Sequence, residues 1–555
     1  MIGVIADPAE HDVVREFFEL FKTPWEFFRE DGKYDVVLCA GNHPFSPLAR
    51  LVVVYAGKRI ELDETRHIAI GNQRNTPCIL DYENNAFPIY GESTSFVCRE
   101  NILLKDVSTN EYIAFLDSSA DQHWARIGFD LFNEIRTLLS EGQPAVNAAS
   151  PTLDLHISFL RKLITEAGVE LVEIPPVPDG YRFIACLTHD VDHPSIKVHK
   201  WDHTIFGFLY RATIGSLLKL VRGQFSLGDL VENWRAAFKL PFVYLGLAQD
   251  FWRDFADRYL RLEQGLPGTF FVIPFKNRPG KTADGSAPKF RGAGYGAQDI
   301  ADLIRKLVSA GQEVCLHGID AWSDSANGRR ELQEIRGLTG TTDSGVRMHW
   351  LYYDQNSPAV LENAGASYDS TIGYNQTVGY RAGTTQVYKP LSANQLLELP
   401  LHVMDTALFY PGYLNHSRQQ AGILCAKLMD NAVQFGGAFT VNWHDRSLAP
   451  ERLWGGSYRD LIQGLKDRDA WFATAGQAVE WFRKRRSAEF VTDPADPLVG
   501  GVKLAPSHGS SLPGLRLRIH KAQQGGDLST QGPDCHVDMP IEEMGNANVA
   551  SEVGR

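Results

Sequence analysis

Thr188-His189-Asp190-Val191-Asp192-His193 follows the apolar run Phe183 to Leu187, so two carboxylates stand at the end of a predicted buried strand. In α/β folds the carboxyl ends of strands are where sites are built. An Asp-x-Asp pair alone also suits a turn or a helix cap. Here the arrangement recurs. Histidines follow short apolar runs in Glu313-Val314-Cys315-Leu316-His317-Gly318, in Val346-Arg347-Met348-His349-Trp350 and in Ala438-Phe439-Thr440-Val441-Asn442-Trp443-His444. Four strand-like runs therefore each deliver Asp or His, the side chains of metal binding and proton transfer.

Outward from these runs, Ile300, Leu303, Ile304, Leu307 and Val308 share one helical face, Gly311 ends that helix, and the strand carrying His317 follows. Strands alternating with such helices predict parallel strands with crossover helices. The stretch from Trp201 to Leu262, rich in Trp, Phe, Leu and Arg, reads as amphipathic lid helices packed on the barrel, with sugar stacking by its aromatics as the alternative. Pro175-Pro176-Val177-Pro178-Asp179-Gly180 is a stiff breaker and sets the predicted boundary. Residues 1–174 form a predicted α/β accessory domain, with strands at Val36 to Cys39, Leu51 to Tyr55 and Ile68 to Ile70. Its helices are expected over Ile127 to Leu139 and Leu153 to Ile164; it shows neither ligand spacing nor a phosphate loop, and reads as a packing or substrate-positioning unit. Residues 181–486 form the main domain, with the helical insertion at 201–262. Residues 487–555, rich in Gly, Pro and Ser, read as an irregular appendage and disordered tail with one strand-like run at Leu515 to Ile519.

At 555 residues, 44% of them hydrophobic, the chain can bury more than one core. A net charge of -12 gives no basic footprint for nucleic acid. The seven cysteines are odd in number, scattered and mostly inside apolar runs, which fits reduced core thiols. Met1 to Asp7 lacks a cationic start, so a cytoplasmic location is expected. Thr204 to Val221 is apolar but carries Arg211, Lys219 and two glycines. It reads as a lid or packing helix and not as a transmembrane segment, with contact at a membrane surface as the minor alternative.

In order and local wording these segments resemble the polysaccharide deacetylase family, also called the NodB-homology or carbohydrate esterase family 4 fold, over roughly Tyr181 to Arg485. Thr188 to Asp192 resembles its first motif, Pro267 to Val272 its second strand and Leu316-His317-Gly318 the start of its metal-histidine motif. Arg347 to Trp350 resembles its Arg-x-Pro-Tyr motif, Trp443-His444 its last catalytic histidine and Trp471 to Thr474 its closing strand. The resemblance implies an α/β fold, a distorted (β/α) barrel, and metal-dependent removal of N- or O-acetyl groups from a glycan or glycan precursor, in a bacterial polysaccharide pathway. The implied cofactor is a divalent metal, Zn²⁺ first, with Co²⁺ or Ni²⁺ as alternatives.

Residue by residue, the resemblance makes Asp190 the general base, Asp192 and His317 metal ligands, Arg347 the partner that keeps Asp190 ionised, and His444 the general acid. Trp350 stands where the family has a tyrosine whose backbone N–H can serve the oxyanion. The family's second metal histidine falls at Ala321 here, and His349, at the family's proline position, is the expected replacement, with His193 and Asp320 in reserve. Asp369, Arg381 and Asp405 are expected around the site, Arg381 as a substrate contact. Two rivals stand beside this reading: a hydrolase of other non-peptide C–N bonds, as in the allantoinase-like branch, and a degenerate glycan-binding or scaffold protein. Base, orienting arginine and acid together weigh against the latter.

Overall fold

The computed structural model describes residues 1–43, 49–97, 101–118, 122–223, 225–491, 502–504, 512–522 and 536–541. The chain divides into two compact units. One contains Met1–Gly180, Ala382–Leu391 and the chain from Glu480 on; the other contains Tyr181–Arg381 and Ser392–Val479.

The second unit is built on nine parallel strands: β1 (Phe183–Val191), β2 (Gly268–Val272), β3 (Glu313–Gly318), β4 (Val346–Met348), β5 (Tyr368–Asp369), β6 (Leu397–Glu398), β7 (Val403–Met404), β8 (Ala438–Asn442) and β9 (Ala470–Phe472). Their order is β6-β5-β4-β3-β2-β1-β8-β7, with β9 also on β1. All nine residues of β1 are buried, as expected of a parallel strand covered on both faces. The end strands β6 and β7 are joined by Leu399 to His402, which bonds both ways: Leu399 N–H donates to the Asp369 carbonyl at 2.8 Å and His402 N–H to the Thr440 carbonyl at 3.1 Å. The sheet thus curls into a distorted (β/α) barrel.

Helices Ala301–Ser309, Ser325–Thr339, Ser357–Ala364, Arg418–Phe435 and Gly455–Lys466 make the crossovers. Their ends are written locally. Asp324 caps Ser325–Thr339 by accepting from Ala326 N–H at 2.8 Å and Asn327 N–H at 3.0 Å, and Gly340, at φ 74°, ends it. Register then sets the site: Thr188 lies beside Asn442, and His317 beside Arg347, so Asp190, Asp192, His317, Arg347, His349 and His444 come to one edge of the sheet.

Between β1 and β2 the insertion forms helices at His203–Tyr210, Ser216–Val221, Leu227–Tyr244 and Phe255–Glu263, with a π-helical turn over Arg211–Gly215. Ile205, Phe208, Ala212, Ala236, Leu240 and Val243 pack with Trp252 in one buried cluster.

The first unit holds an eleven-stranded mixed sheet. Val36–Ala40 and Leu51–Tyr55 are neighbouring parallel strands, and the strand expected near Ile68 runs from Ile70 to Arg74. The helix expected from Ile127 starts at Leu131, because Ile127 ends the strand His123–Ile127 and Asp130 caps the helix through Phe132 and Asn133 N–H. Thr152–Glu166 is helical. Much of 487–555 lies outside the described residues; within it, Leu515–His520 pairs antiparallel with Leu171–Glu173 and with His536–Ile541. Cys98 and Cys535 also lie outside the described residues. Cys39, Cys78, Cys186, Cys315 and Cys425 are free thiols.

Candidate active site

Arg347 comes off β4 fully buried and organises one side of the cleft. Its Nη1 donates to Thr188 Oγ1 at 2.7 Å and to Asp190 Oδ1 at 3.1 Å. Its Nε and Nη2 donate to the Ser370 carbonyl at 3.0 Å and to Ser370 Oγ at 2.9 Å. The other Asp190 oxygen accepts from Asn442 Nδ2 at 2.7 Å. Burial opposes ionisation of Asp190, but His317, Arg347 and His444 outweigh it and hold the carboxyl below its usual range.

Asp192 faces the two histidines expected beside it. Asp192 Oδ1 is 3.4 Å from His317 Nε2 and 3.6 Å from His349 Nε2, and the three donor atoms lie within 4.8 Å of one another. Donors about 2.1 Å from a tetrahedral ion lie about 3.4 Å apart, so the set fits a divalent metal. Two further observations support the fit. Asp192 Oδ1 is buried without a hydrogen-bond partner, and His317 Nδ1 donates to the Arg347 carbonyl at 2.9 Å, which leaves Nε2 as the lone-pair atom. Burial lowers His349 to about 3, so its imidazole is neutral at working pH. Asp192 is held well below the usual carboxylate range: burial opposes this, and His349, His317 and His444 overcome it.

Ala321 explains the departure from the two-histidine motif. It is fully buried against the helix Ser325–Thr339, where a Cβ on Gly328 would stand 3.3 Å from the Ala321 Cβ. The preceding turn is fixed by Glu331, which accepts from Ile319 N–H at 2.9 Å and Asp320 N–H at 3.0 Å. Ala321 does not line the cleft. Asp320 is likewise engaged elsewhere, accepting from Lys281 N–H at 2.9 Å. His193 lines the cleft, but its Nδ1 is 3.0 Å from His199 Nε2.

His444 follows β8 and is gripped by Asp405: His444 Nδ1 donates to Oδ1 at 2.6 Å and the backbone N–H to Oδ2 at 2.7 Å. Its Nε2 points inward, 3.9 Å from Asp192 Oδ2. Burial would lower this histidine, but Asp405, Asp192 and Asp190 raise it to about 10.

Trp350 and Leu351 both adopt left-handed backbone, at φ 67° and 54°. Such residues are strained and gather at functional sites. Asn375 Nδ2 holds the Trp350 carbonyl at 3.1 Å, and the Trp350 ring lies 5.4 Å from that of Phe290. Arg291, buried and stacked 4.1 Å over Tyr352, donates to the His349 carbonyl at 2.7 Å and so fixes the backbone of that candidate ligand.

Asp190, Asp192, His317, His349, Trp350 and His444 line one cleft of about 540 Å³. Arg381, expected as a substrate contact, is engaged within its own loop. Its Nη1 donates to the Gly373 carbonyl at 2.9 Å, which ties the 373–381 loop to itself, and the guanidinium is not among the groups lining the cleft in the described residues. Asp369 also lies behind the site, accepting from Ser370 N–H at 2.8 Å beside the buried Glu398. Reading for Asp and His passed over Asn442 and Ser370. Asn442 was findable, since it stands two residues before His444 and points like a same-face neighbour on the strand.

The strand order and the side chains at the strand ends agree with the distorted (β/α) barrel that the sequence resemblance implies. Among solved structures the chain is similar to a Mycobacterium smegmatis protein named as a polysaccharide deacetylase, with 18% identity over 58% of this chain and 99% of that one and a TM-score of 0.35. It is also similar to a Pseudomonas aeruginosa PAO1 protein named likewise, at 18% identity over 56% and 94% with a TM-score of 0.35. Puue allantoinase matches at 16% identity over 56% and 92% with a TM-score of 0.34. At these TM-scores the fold rests on the strand order described above and not on the neighbours. No protein-family model and no curated protein matches the sequence.

Proposed function

We propose that the protein is a metal-dependent hydrolase that removes acetyl groups from a glycan or glycan precursor. The observation that carries this reading is the meeting, in one cleft, of three units: the Asp190–Arg347 pair, the Asp192, His317 and His349 donors, and the Asp405–His444 pair. Asp192, His317 and His349 would hold Zn²⁺, with Co²⁺ or Ni²⁺ as alternatives. When bound, the metal polarises the acyl carbonyl and lowers the pKa of water.

The chain's own groups supply the proton transfers. Asp190, kept ionised by Arg347 and aimed by Asn442, takes a proton from the attacking water. The Trp350 N–H, on its left-handed turn, serves the oxyanion. His444, held protonated by Asp405, gives its Nε2 proton to the departing nitrogen or oxygen. Acetate and a free amine or hydroxyl result. Phe290, Trp350, Tyr352, Tyr410 and Tyr413 line the same cleft and offer faces on which sugar rings stack. A cytoplasmic setting belongs to the proposal and is supported by the free state of the five cysteines among the described residues.

The test is acetate release from N-acetylated and O-acetylated oligosaccharides by the zinc-loaded chain and by Asp190→Asn. Release by the first and not the second supports the reading. Cleavage of a cyclic or linear amide without acetate would favour the allantoinase-like alternative, and metal binding without turnover on any of these would favour a binding protein.

A further inference from the structure

Arg211, Arg446 and Arg452 line the cleft together. Among the described residues no ion pair is made by Arg211, Arg446 or Arg452, although Arg446 and Arg452 are 7% and 3% exposed. Arg211 Nε, Arg446 Nη1, and Arg452 Nε and Nη1 are buried with no hydrogen-bond partner. Their planes are fixed by aromatic rings: Arg446 lies 4.7 Å over Trp252, and Arg452 lies 4.9 Å over Trp454 and 5.1 Å over Tyr410. Stacking uses the guanidinium faces; Arg452 Nη2 donates to the Tyr410 hydroxyl, and the unpartnered N–H groups named above are left for a ligand.

The acidic groups facing this cluster are Asp405, Asp445 and Glu451. Asp405 holds His444, Asp445 accepts the backbone N–H groups of His193 and Arg446, and Glu451 Oε2 accepts from Trp252 Nε1 at 3.3 Å, while Glu451 Oε1 makes no hydrogen bond. None of the three hydrogen-bonds a guanidinium of the cluster, though burial of Arg452 is outweighed by Tyr410, Asp405, Glu451 and Asp445, which raise it. The cations feel one another. Burial and then Arg452 and Arg446 push Arg211 down to about 10; burial would raise the Tyr410 phenol, but the three arginines lower it. Buried cations are retained where something pairs with them.

We propose that Arg211, Arg446 and Arg452 form a subsite for an oxyanion on the substrate, a phosphate ester or a carboxylate, so that the sugar undergoing deacylation carries a negative group. This deepens the hydrolase reading and rests on it for the word substrate. Guanidinium forks match the paired oxygens of both groups.

Calorimetric titration of the full chain with inorganic phosphate, and separately with glucuronate, tests it. One of the two anions binds, and binding weakens about tenfold or more in Arg446→Gln and Arg452→Gln, the loss expected for a charge-assisted hydrogen bond. Tighter phosphate names a phosphorylated sugar, and tighter glucuronate a uronic acid. Should the two buried variants fail to fold by near-ultraviolet circular dichroism, the half-exposed Arg211→Gln decides in the same way. Absence of binding by both anions overturns the proposal. So does binding that survives the arginine variants and disappears in His317→Ala, which places the anion at the metal donors. Acetate release without anion binding sinks this inference alone, and anion binding without acetate release sinks the hydrolase reading alone.

A second inference stands on the outer face of the insertion. Phe206, Tyr210, Ile214, Leu217 and Val221 are exposed at spacings of four, four, three and four residues, and Leu227, Val231, Trp234, Phe238 and Phe242 at four, three, four and four. Both helices therefore turn an apolar stripe to the outside, while their inner faces share the buried cluster around Trp252. Patches this large on a soluble surface mark interaction sites. His203–Val221 contains an 18-residue window with a mean hydropathy of 1.3, yet His203, Thr204 and Arg211 of the same segment line the cleft, so it lies along a surface and does not cross it. Residues 197–249 carry seven basic and three acidic side chains, a net of +4 within a chain of -12.

We infer that this hairpin docks on an anionic bilayer surface, with its aromatic and aliphatic stripe in the interface. Sedimentation with phosphatidylcholine vesicles, with and without phosphatidylglycerol, is the test. The wild-type chain should pellet with the anionic vesicles, and the double variant Phe206→Glu, Phe238→Glu should stay in the supernatant. A wild-type chain that ignores both vesicles overturns the inference, as does a lipid-free dimer that the double variant converts to monomer, which would make a second copy the occupant.

Discussion

His444 Nδ1 lies 2.6 Å from Asp405 Oδ1, and the backbone N–H of the same histidine donates to the other oxygen at 2.7 Å. One buried carboxylate thus sets the tautomer, the ring orientation and the charge of the residue assigned as acid.

Asp405→Asn should move the alkaline limb of the pH–rate profile to lower pH, because Asp405 is the largest of the groups that raise His444 to about 10. Turnover should fall roughly 10²- to 10⁴-fold, the usual worth of a positioned acid. The stability sign follows from a raised folded pKa. The contribution is fully present below the ordinary histidine value and is lost as pH rises through about 10. The gap in melting temperature between wild type and Asp405→Asn should therefore narrow above that pH.

Asp190→Asn should keep bound metal and lose turnover about 10²-fold or more, since its hydrogen bonds run to Arg347 and Asn442 and its role is to take a proton. Metal content and acetate release, measured on one preparation, check this. Metal loss in Asp190→Asn with retention in Asp192→Asn would reverse the two roles.

Arg347→Lys should fail to replace Arg347. Three guanidinium nitrogens serve Thr188, Asp190 and two atoms of Ser370, a geometry one ammonium cannot reproduce. Leaving Asp190 poorly paired in a buried site should cost about 3–5 kcal/mol in Arg347→Ala, read by denaturant unfolding.

Ala321→His, which writes the family's missing histidine back in, should not improve metal affinity. The position is fully buried against Gly328, so added volume should cost about 1–3 kcal/mol. A stable variant with tighter metal would refute this account of the turn.

The barrel was legible because its four main strands are apolar runs that end in Asp or His, a pattern that sequence periodicity and residue chemistry both register. The place of His349 beside Asp192 was legible too, since a histidine at a strand end is hard to hide; its Nε2 lies 3.6 Å from Asp192 Oδ1. The grip of Asp405 on His444 is not legible in sequence, for Asp405 follows a two-residue strand whose neighbours carry no period. The bond from Arg381 to the Gly373 carbonyl was not legible, because a cation near the site in sequence says nothing about which carbonyl it will satisfy. The insertion read as lid helices packed on the barrel, and the outward apolar stripe was missed for a physical reason. An amphipathic pattern reports that a face is apolar, not what covers it, and here Ile205 and Phe208 face inward while Phe206 and Tyr210 face out.

Metal content per chain after zinc loading and gentle dialysis tests the central claim most directly, with Asp192→Asn, His317→Ala and His349→Ala measured beside the wild type. The account predicts about one ion per wild-type chain and a loss of affinity of similar size in all three variants, at least the 10–100-fold that even outer-shell changes cause. A wild-type chain that never takes up Zn²⁺, Co²⁺ or Ni²⁺, or a His349→Ala variant that holds metal as tightly as wild type, would contradict it.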